Sequence, residues 1–132
     1  MSIKVALATK LESITALVAL VSTRIYSVKL PQDFTLPAVC FRMIGDETAR
    51  TLSGHGGKAR TTFEISYCAD SDTDAETGGE IIRKALDGFS GTVSTVRIQS
   101  ISMTDRRDDY DYNLGVYKRE MEFKVGHIEA IT

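Results

Sequence analysis

Two runs of alternating apolar and polar residues do most to limit the fold of this chain. In TTFEISYCA (61–69) and in REMEFKV (119–125), large apolar side chains alternate with polar or charged ones. Successive side chains of a strand point to opposite faces, so each run predicts a strand with one buried face and one wet face. The fold must therefore contain a sheet that is covered on one side.

Two other segments have the spacing of helices. The apolar residues of the first segment recur every three or four positions, which predicts a helix over residues 2–22. A second helix is predicted over 73–88, with Ser71 or Asp72 as its cap and Gly88 as its stop. The residues of the first apolar stripe are Leu7, Leu11, Ile14, Val18 and Val21.

The remaining segments predict two further strands. AVCFRMIG (38–45) carries apolar residues on both faces, as an interior strand does. Residues 91–105 and 114–128 are predicted to form a hairpin around a charged turn. The order is α-β-β-α-β-β, which predicts one α+β domain over residues 1–132, with a mainly antiparallel four-stranded sheet and two helices packed on one face.

Composition and charge narrow the class of protein. The 132 residues are 42% hydrophobic and 26% charged, as in an ordinary globular domain, and the net charge of -2 argues against nucleic-acid binding. Residues 1–69 carry 8 basic and 5 acidic residues, whereas residues 70–132 carry 8 and 13. The resulting charges of +3 and -5 suit subunits that meet head to tail.

Neither a membrane segment nor a disulfide framework is predicted. Lys4, Lys10 and Glu12 interrupt the apolar N-terminal segment, so no uncharged run is long enough to span a bilayer. Cys40 and Cys68 both lie in strand-like runs. We expect both thiols to be reduced and buried.

The glycine-rich segment from Gly45 to Ala59 is too long for an ordinary hairpin turn. A phosphate-binding loop is excluded because Leu52 stands where its first glycine belongs and Ala59 where its hydroxyl belongs. Two alternatives remain: a solvated loop, or a two-stranded arm of about seven residues a side that reaches roughly 20 Å to a neighbouring subunit. The candidate interface residues here are Arg50, Leu52, His55, Lys58 and Arg60.

The predicted charged turn, residues 105–112, is a second candidate interface. Its interface residues are Arg106, Arg107, Tyr110 and Tyr112. Arginine and tyrosine are favoured at protein interfaces because they combine contact area with polar tips. The alternative is a turn that is merely solvated.

No catalytic, cofactor or metal site is predicted. GFSGT (88–92) has Thr92 where the nucleophile elbow of hydrolases has glycine, and Ser90 follows a helix instead of a strand. The imidazole and thiol side chains are too far apart in sequence to form a chelating pair. The sequence therefore favours a protein that acts through its surfaces.

The order of several phrases resembles one known family. LPAVCFRMIG, RTLSGHGGKA, the strand that ends at the cap of the second helix, and the closing GVYKREMEF strand are similar to those of tail terminator, or tail-completion, proteins of long-tailed bacteriophages and prophages. The resemblance covers nearly the whole chain. It rests on the order of these phrases and not on a catalytic signature.

This resemblance implies a function. Such a protein forms a ring, usually a hexamer, that caps the tail tube, stops its polymerisation and joins tail to head. Its partners would be further copies of itself, the major tail tube protein and the head–tail connector protein. It would be assembled in the host cytoplasm and lie in the virion at the head-proximal end of the tail. The alternatives are another neck or head-closure protein of the same virion and a small hydrolase-like enzyme.

Overall fold

The computed structural model describes residues 3–51 and 54–128, and of residues 47–58 it describes no side chains. Three helices and six strands make up the described fold. In chain order they are α1 (Ile3–Glu12), α2 (Thr15–Val21), β1 (Ile25–Ser27), β2 (Ala38–Thr51), β3 (Gly54–Ala69), α3 (Asp72–Leu86), β4 (Gly91–Val93), β5 (Val96–Asp111) and β6 (Val116–Ile128). None of the described helices is long and apolar enough to cross a membrane.

The strands form one curled sheet in the order β1-β2-β3-β6-β5-β4. Neighbouring strands are antiparallel except β1 and β2, which are parallel. The predicted four-stranded sheet with two helices is therefore wrong: the sheet is mixed and six-stranded, and there are three helices. The four predicted strands form its centre, and two three-residue strands add the edges.

Each edge strand escaped prediction for a local reason. β1 is only three residues long and is soon followed by Pro31 and Pro37, which disfavour regular structure, so its segment shows no strand pattern. β4 is separated from β5 by Ser94 and Thr95, whose φ angles of 47° and 69° are both positive. Two consecutive residues with positive φ form the kind of turn that closes a tight hairpin, so the predicted single strand folds back on itself.

The first predicted helix is two helices. The Ser13 hydroxyl donates to the Lys10 carbonyl at 2.6 Å, and Ile14 has an extended backbone, with φ -80° and ψ 102°. A serine hydroxyl that competes for backbone carbonyls disfavours helix continuation. The break changes the phase of the apolar stripe, so that Leu17 is fully buried and Val18, predicted to be inside, is 36% exposed.

Helix α3 matches its prediction within two residues. The Ser71 hydroxyl accepts from the Asp74 amide at 3.2 Å, which satisfies one of the free amides of the first turn. A Cβ atom built on Gly78 would lie 2.1 Å from the Tyr67 ring, and one on Gly79 would lie 2.4 Å from Cγ of Arg119. Only glycine allows α3 to pack this closely on β3 and β6.

The core lies between the helices and one face of the sheet, which we call the helix face. It consists of alternate residues of β2, β3, β5 and β6 packed against the buried side chains of all three helices. The opposite face, which we call the open face, carries the polar members of the same alternating runs. The largest fully buried side chains include Tyr67, Phe63, Phe123, Leu7, Leu11 and Leu17.

Two long hairpins extend to opposite ends of the sheet. β2 and β3 remain paired as far as Thr51 and Gly54, so the described backbone of the segment, residues 45–51 and 54–59, adopts the two-stranded arm that was one of the two alternatives. At the other end, β5 pairs with β6 as far as Asp111 and Val116. Residues 105–111, which we call the charged strip, therefore belong to a strand, and the prediction of a charged turn there is wrong.

Candidate functional site

The candidate interface residues lie in the arm and the charged strip, except Arg60 and Tyr112, which immediately follow them. In the arm, Leu52 lies outside the described residues, as do the side chains of Arg50, His55 and Lys58. The backbones of Arg50 and His55 lie opposite each other in the β2–β3 ladder. The exposed Arg60 stands at the base of the arm, level with Glu47 and with Gly126. The contacts of the arm remain a prediction.

In the charged strip, the strand geometry directs neighbouring arginines to opposite faces. Arg107 contacts carboxylates of the open face, whereas Arg106 contacts Glu80 of α3 on the helix face. Sequence analysis grouped these two residues in one turn, because a turn was expected to present both to solvent. The structure does not bring them together.

Arg107 is the centre of an ion-pair network on the open face. Its guanidinium lies 2.6 Å from Glu64, 3.1 Å from Asp105, 3.3 Å from Glu120 and 3.4 Å from Glu122. Burial lowers the pKa of Arg107, but the four carboxylates, of which Glu120 acts most strongly, raise it above its ordinary value overall. Arg107 is therefore held charged and fixed in place.

Glu64 and Glu120 are the least exposed acids of this network. Glu64 is 8% exposed and also accepts from Arg42 at 3.0 Å. Burial raises the pKa of Glu120, and the negative charge of Glu64 raises it further. The open face thus concentrates more carboxylates than the two arginines can neutralise.

A second ion-pair network joins the charged strip to α3. Glu80 accepts from Arg83 and from Arg106, each at 2.8 Å, and Arg119 donates to Asp108 at 2.6 Å. The hydrogen bond from Arg83 lowers the pKa of Glu80. These contacts connect β5, β6 and α3, so the charged strip is anchored on the helix face as well.

Aromatic residues mark the end of the β5–β6 hairpin. The Tyr110 ring contacts those of Tyr112 and Tyr117 edge to face, with centroids 4.9 and 4.8 Å apart. Tyr112 is 89% exposed, and Leu114 beside it is 45% exposed. An aromatic cluster with one freely exposed ring is typical of an interaction surface.

Sequence analysis missed a groove of about 310 Å³ on the open face. Its rim includes Val28 and Leu30 from the segment after β1 and Leu114 from the β5–β6 turn. Its floor includes Cys40 and Cys68. These segments are far apart in sequence, and only the pairing of β1 with β2 brings them together.

The thiols of this groove are free and poorly reactive. Cys68 is buried, as predicted, whereas Cys40 is only partly buried. Burial raises the pKa of Cys68 to about 11 and also raises that of Cys40. A nucleophilic thiol needs the opposite shift, so the groove does not have the features of a cysteine active site.

A buried polar chain lies where the arm joins the core. The Thr61 hydroxyl lies 3.0 Å from Oδ1 of Asp46 and 2.9 Å from Nε2 of His127. Thr61 is fully buried and therefore cannot meet a substrate. The chain ties β2, β3 and β6 together at the base of the arm.

The geometry assigns no reaction to these residues. Ser90, the residue that suggested a hydrolase, is exposed after α3. Among the side chains that the structure describes, those of residues 3–46 and 59–128, no group of three or more His, Cys, Asp and Glu is arranged to hold a metal ion. What the fold presents is a curled sheet with two unlike ends and dense surface ion pairs.

Comparison with known protein families identifies the family of this chain. It matches the family described as tail completion protein gp17 over residues 5–127. The chain is therefore a member of this family of structural phage tail proteins, and the resemblance to tail-completion proteins is confirmed.

Solved structures show the same fold. A chain from the virion of a native gene transfer agent particle superposes with a TM-score of 0.71 at 19% identity, covering 90% of this chain and 89% of its own. A second solved chain gives a TM-score of 0.62 at 11% identity, covering 100% and 99%. No curated protein sequence matches this chain.

Proposed function

We propose that this protein caps the tail tube, ends its polymerisation and provides the surface that joins tail to head. It acts as a ring, with six copies as the number that the family resemblance implies. Its partners are other copies of itself, the major tail tube protein and the head–tail connector protein. The observation that carries the proposal is the family match over residues 5–127.

The two ends of the sheet suit a protein that joins two different partners. One end carries the glycine-rich arm, which beyond the Lys58–Ile128 pair has no described partner strand other than its own. The other end carries the anchored charged strip and the exposed Tyr112. To continue the polymer, a tube subunit must present two ends that are complementary to each other. A molecule whose ends are not complementary binds the tube with one end and leaves the other for the connector.

To end a polymer as a ring, neighbouring copies of the protein must also contact each other side to side in a way that closes the ring. Head-to-tail contacts between identical subunits give a ring when the rotation closes and an open helix when it does not. The opposite charges of the two halves of the sequence, +3 and -5, favour a heterologous contact over a self-matching one. The ring lies at the head-proximal end of the tail, where growth stops.

The arm supplies the contact that adapts to the partner. Its four glycines allow the backbone to change shape, at an ordering cost of about 1–2 kcal/mol for each residue that becomes fixed. Its cations are Arg50, Lys58 and, at its base, Arg60.

The experiment replaces the cations of the arm. The triple variant Arg50→Ala, Lys58→Ala, Arg60→Ala should fold normally but give tails of uncontrolled length or tails that fail to join heads. The matched control removes three exposed cations elsewhere, with Lys84→Ala, Arg97→Ala and Lys124→Ala. Tail lengths and the fraction of joined heads are counted by electron microscopy. Normal tails with the arm variant would contradict a role of the arm.

A further inference from the structure

Two strands of the sheet have outer edges that no described strand covers. β1 pairs with β2 only at residues 39–41, so β2 from Arg42 to Thr51 has β3 as its one strand neighbour among the described residues. On the other side, β4 pairs with β5 only at residues 96–98. From Thr104 to Asp111, β5 has β6 as its one strand neighbour in the same part of the chain.

The open edge of β5 is capped by aspartate side chains. The amide of Met103 donates to Asp87 at 3.1 Å. The amides of Arg106 and Tyr110 donate to the carboxylates of the preceding residues, Asp105 and Asp109, each at 2.9 Å. Amides that bond to side chains in this way belong to the outer edge of the strand. An uncapped edge would invite indiscriminate pairing, so these carboxylates protect it in the free protomer.

We propose that the open edge of β5 in one copy pairs with the open edge of β2 in the next copy, so that the sheets of neighbouring subunits join around the ring. This inference rests on the ring proposed above and names the surface that closes it. The occupant of each edge is thus a second copy of this chain, held by backbone hydrogen bonds.

Strand direction allows this contact. From β2 through β3 and β6 to β5, each neighbour reverses direction, so β2 and β5 run in opposite directions within one copy. Rotation about an axis along the strands preserves these directions. β2 of one copy therefore meets β5 of the next as an antiparallel pair, which is the commoner and slightly more stable arrangement.

Charge favours this pairing over the pairing of β5 with itself. The open stretch of β5, residues 104–111, carries four aspartates and two arginines. The open stretch of β2, residues 42–51, carries two basic and two acidic residues, and the adjacent β3 adds Lys58 and Arg60. Two β5 edges would bring together stretches of net charge -2, whereas β5 against β2 brings -2 to a neutral stretch with two cations on the strand behind it.

The position of the edges predicts how the strands lie in the ring. Arg42 and Asp105 are level with each other across the sheet, through Glu64 and Glu122. From that row the open stretch of β2 runs toward the arm, and the open stretch of β5 runs toward the opposite end of the sheet. The centres of the two stretches are therefore offset along the strand direction by about eight residues, or roughly 27 Å. From β2 of one copy to β2 of the next, paired copies are four strand spacings apart, or about 19 Å. Pairing the edges therefore tilts the strands by about 55° from the ring axis, which is steeper than the roughly 35–45° of closed barrels.

Cross-linking tests this pairing. When the two edges overlap fully, the start of the open β2 stretch lies opposite the end of β5, within about 10 Å. Ile44→Cys and Tyr112→Cys place thiols at these points, since both native side chains are exposed. The double variant, assembled on tail tubes and treated with a short bismaleimide, should give covalent oligomers larger than a dimer on a denaturing gel.

Controls separate the edge contact from the ring itself. Ile44→Cys with Lys84→Cys, on the exposed side of α3, has the same number of added thiols, and the unchanged chain reports the background from Cys40 and Cys68. If the double variant assembles into rings by mass but cross-links no more than the control, the edge contact is wrong and the ring stands. If no ring forms on tubes even with the unchanged chain, both proposals are wrong.

Discussion

The arm and the charged strip are the ends of two similar hairpins, yet they are held in place differently. The charged strip is fixed by Arg107 on the open face, by Glu80 of α3 on the helix face and by the Tyr110 cluster. Beyond the Lys58–Ile128 pair, the described backbone of the arm is a two-stranded ribbon. Such a ribbon is marginally stable by itself.

This difference suggests a division of roles. A surface that is already ordered binds with little further loss of conformational entropy, so the charged strip suits a contact of fixed geometry. An arm that becomes ordered on its partner has an entropic cost but adapts to more than one shape. Substitutions in and around the two hairpins test this contrast.

The largest effect is expected at helix α3, which packs on β3 of one hairpin and on β6 of the other. Gly78→Ala forces a methyl group into the buried Tyr67 ring, and overpacking of this kind should lower the free energy of unfolding by about 3 kcal/mol. Urea denaturation followed by circular dichroism measures the change. Gly45→Ala is the matched control, because its Cβ would contact Thr62 at an ordinary 3.8 Å. A loss below about 1 kcal/mol with Gly78→Ala would show that α3 does not depend on this close approach.

The next effect should be confined to the charged strip. Arg107→Ala leaves Glu64, Glu120 and Glu122 without their shared cation, which should cost about 1–2 kcal/mol of stability. Amide hydrogen exchange should become faster in residues 105–111 and remain unchanged in the arm. Arg60→Ala at the exposed base of the arm is the control, with an expected change within about 0.5 kcal/mol. If the two variants lost equal amounts of stability, the charged strip would not be held more firmly than the arm.

A smaller effect concerns the capped edge. Asp105→Ala with Asp109→Ala removes two carboxylates and uncaps the Arg106 and Tyr110 amides, so self-association should strengthen by roughly fivefold. The corresponding pair of Asn substitutions removes the same charges but retains an acceptor oxygen, so it should associate less. Sedimentation velocity compares the two. Identical association would mean that the carboxylates act only through their charge.

The smallest effect is a change in pH dependence. Because burial raises the pKa of Glu120, its contribution to stability is fully present below the ordinary pKa of glutamate and is lost as pH rises through the raised pKa. Glu120→Gln should therefore be relatively more stable at neutral pH than at pH 4, by less than about 1 kcal/mol. Denaturation at both values measures this. A variant that loses more stability at pH 7 than at pH 4 would show that the Arg107 pair outweighs burial.

The sequence alone predicts the four central strands of the sheet but not the two short strands at its edges. Alternating runs such as 61–69 are set by burial of one face, and local sequence is enough to recognise them. β1 and β4 are three residues long and exist because a neighbouring strand is present, which no local pattern encodes. The break at Ser13 and the shift from Val18 to Leu17 likewise depend on one hydroxyl that competes with the helix.

The candidate site was harder to predict for a related reason. The alternation of charges from Asp105 to Asp111 has no apolar face, so it indicated a turn, although ion pairs with Glu64 and Glu80 stabilise it as a strand. These partners lie more than 20 residues away in sequence. The arm was recognised by its length and glycines, and its strand pairing required the structure.

The most direct test of the proposed function is the mass of the complex on purified tail tubes. Native mass spectrometry of tubes disassembled after capping, together with electron microscopy of their ends, would give the number of copies and their position. We predict one closed ring of several identical copies, at one end of each tube only, with no further growth from that end. Single copies distributed along the tube, or continued growth from the capped end, would contradict the proposal.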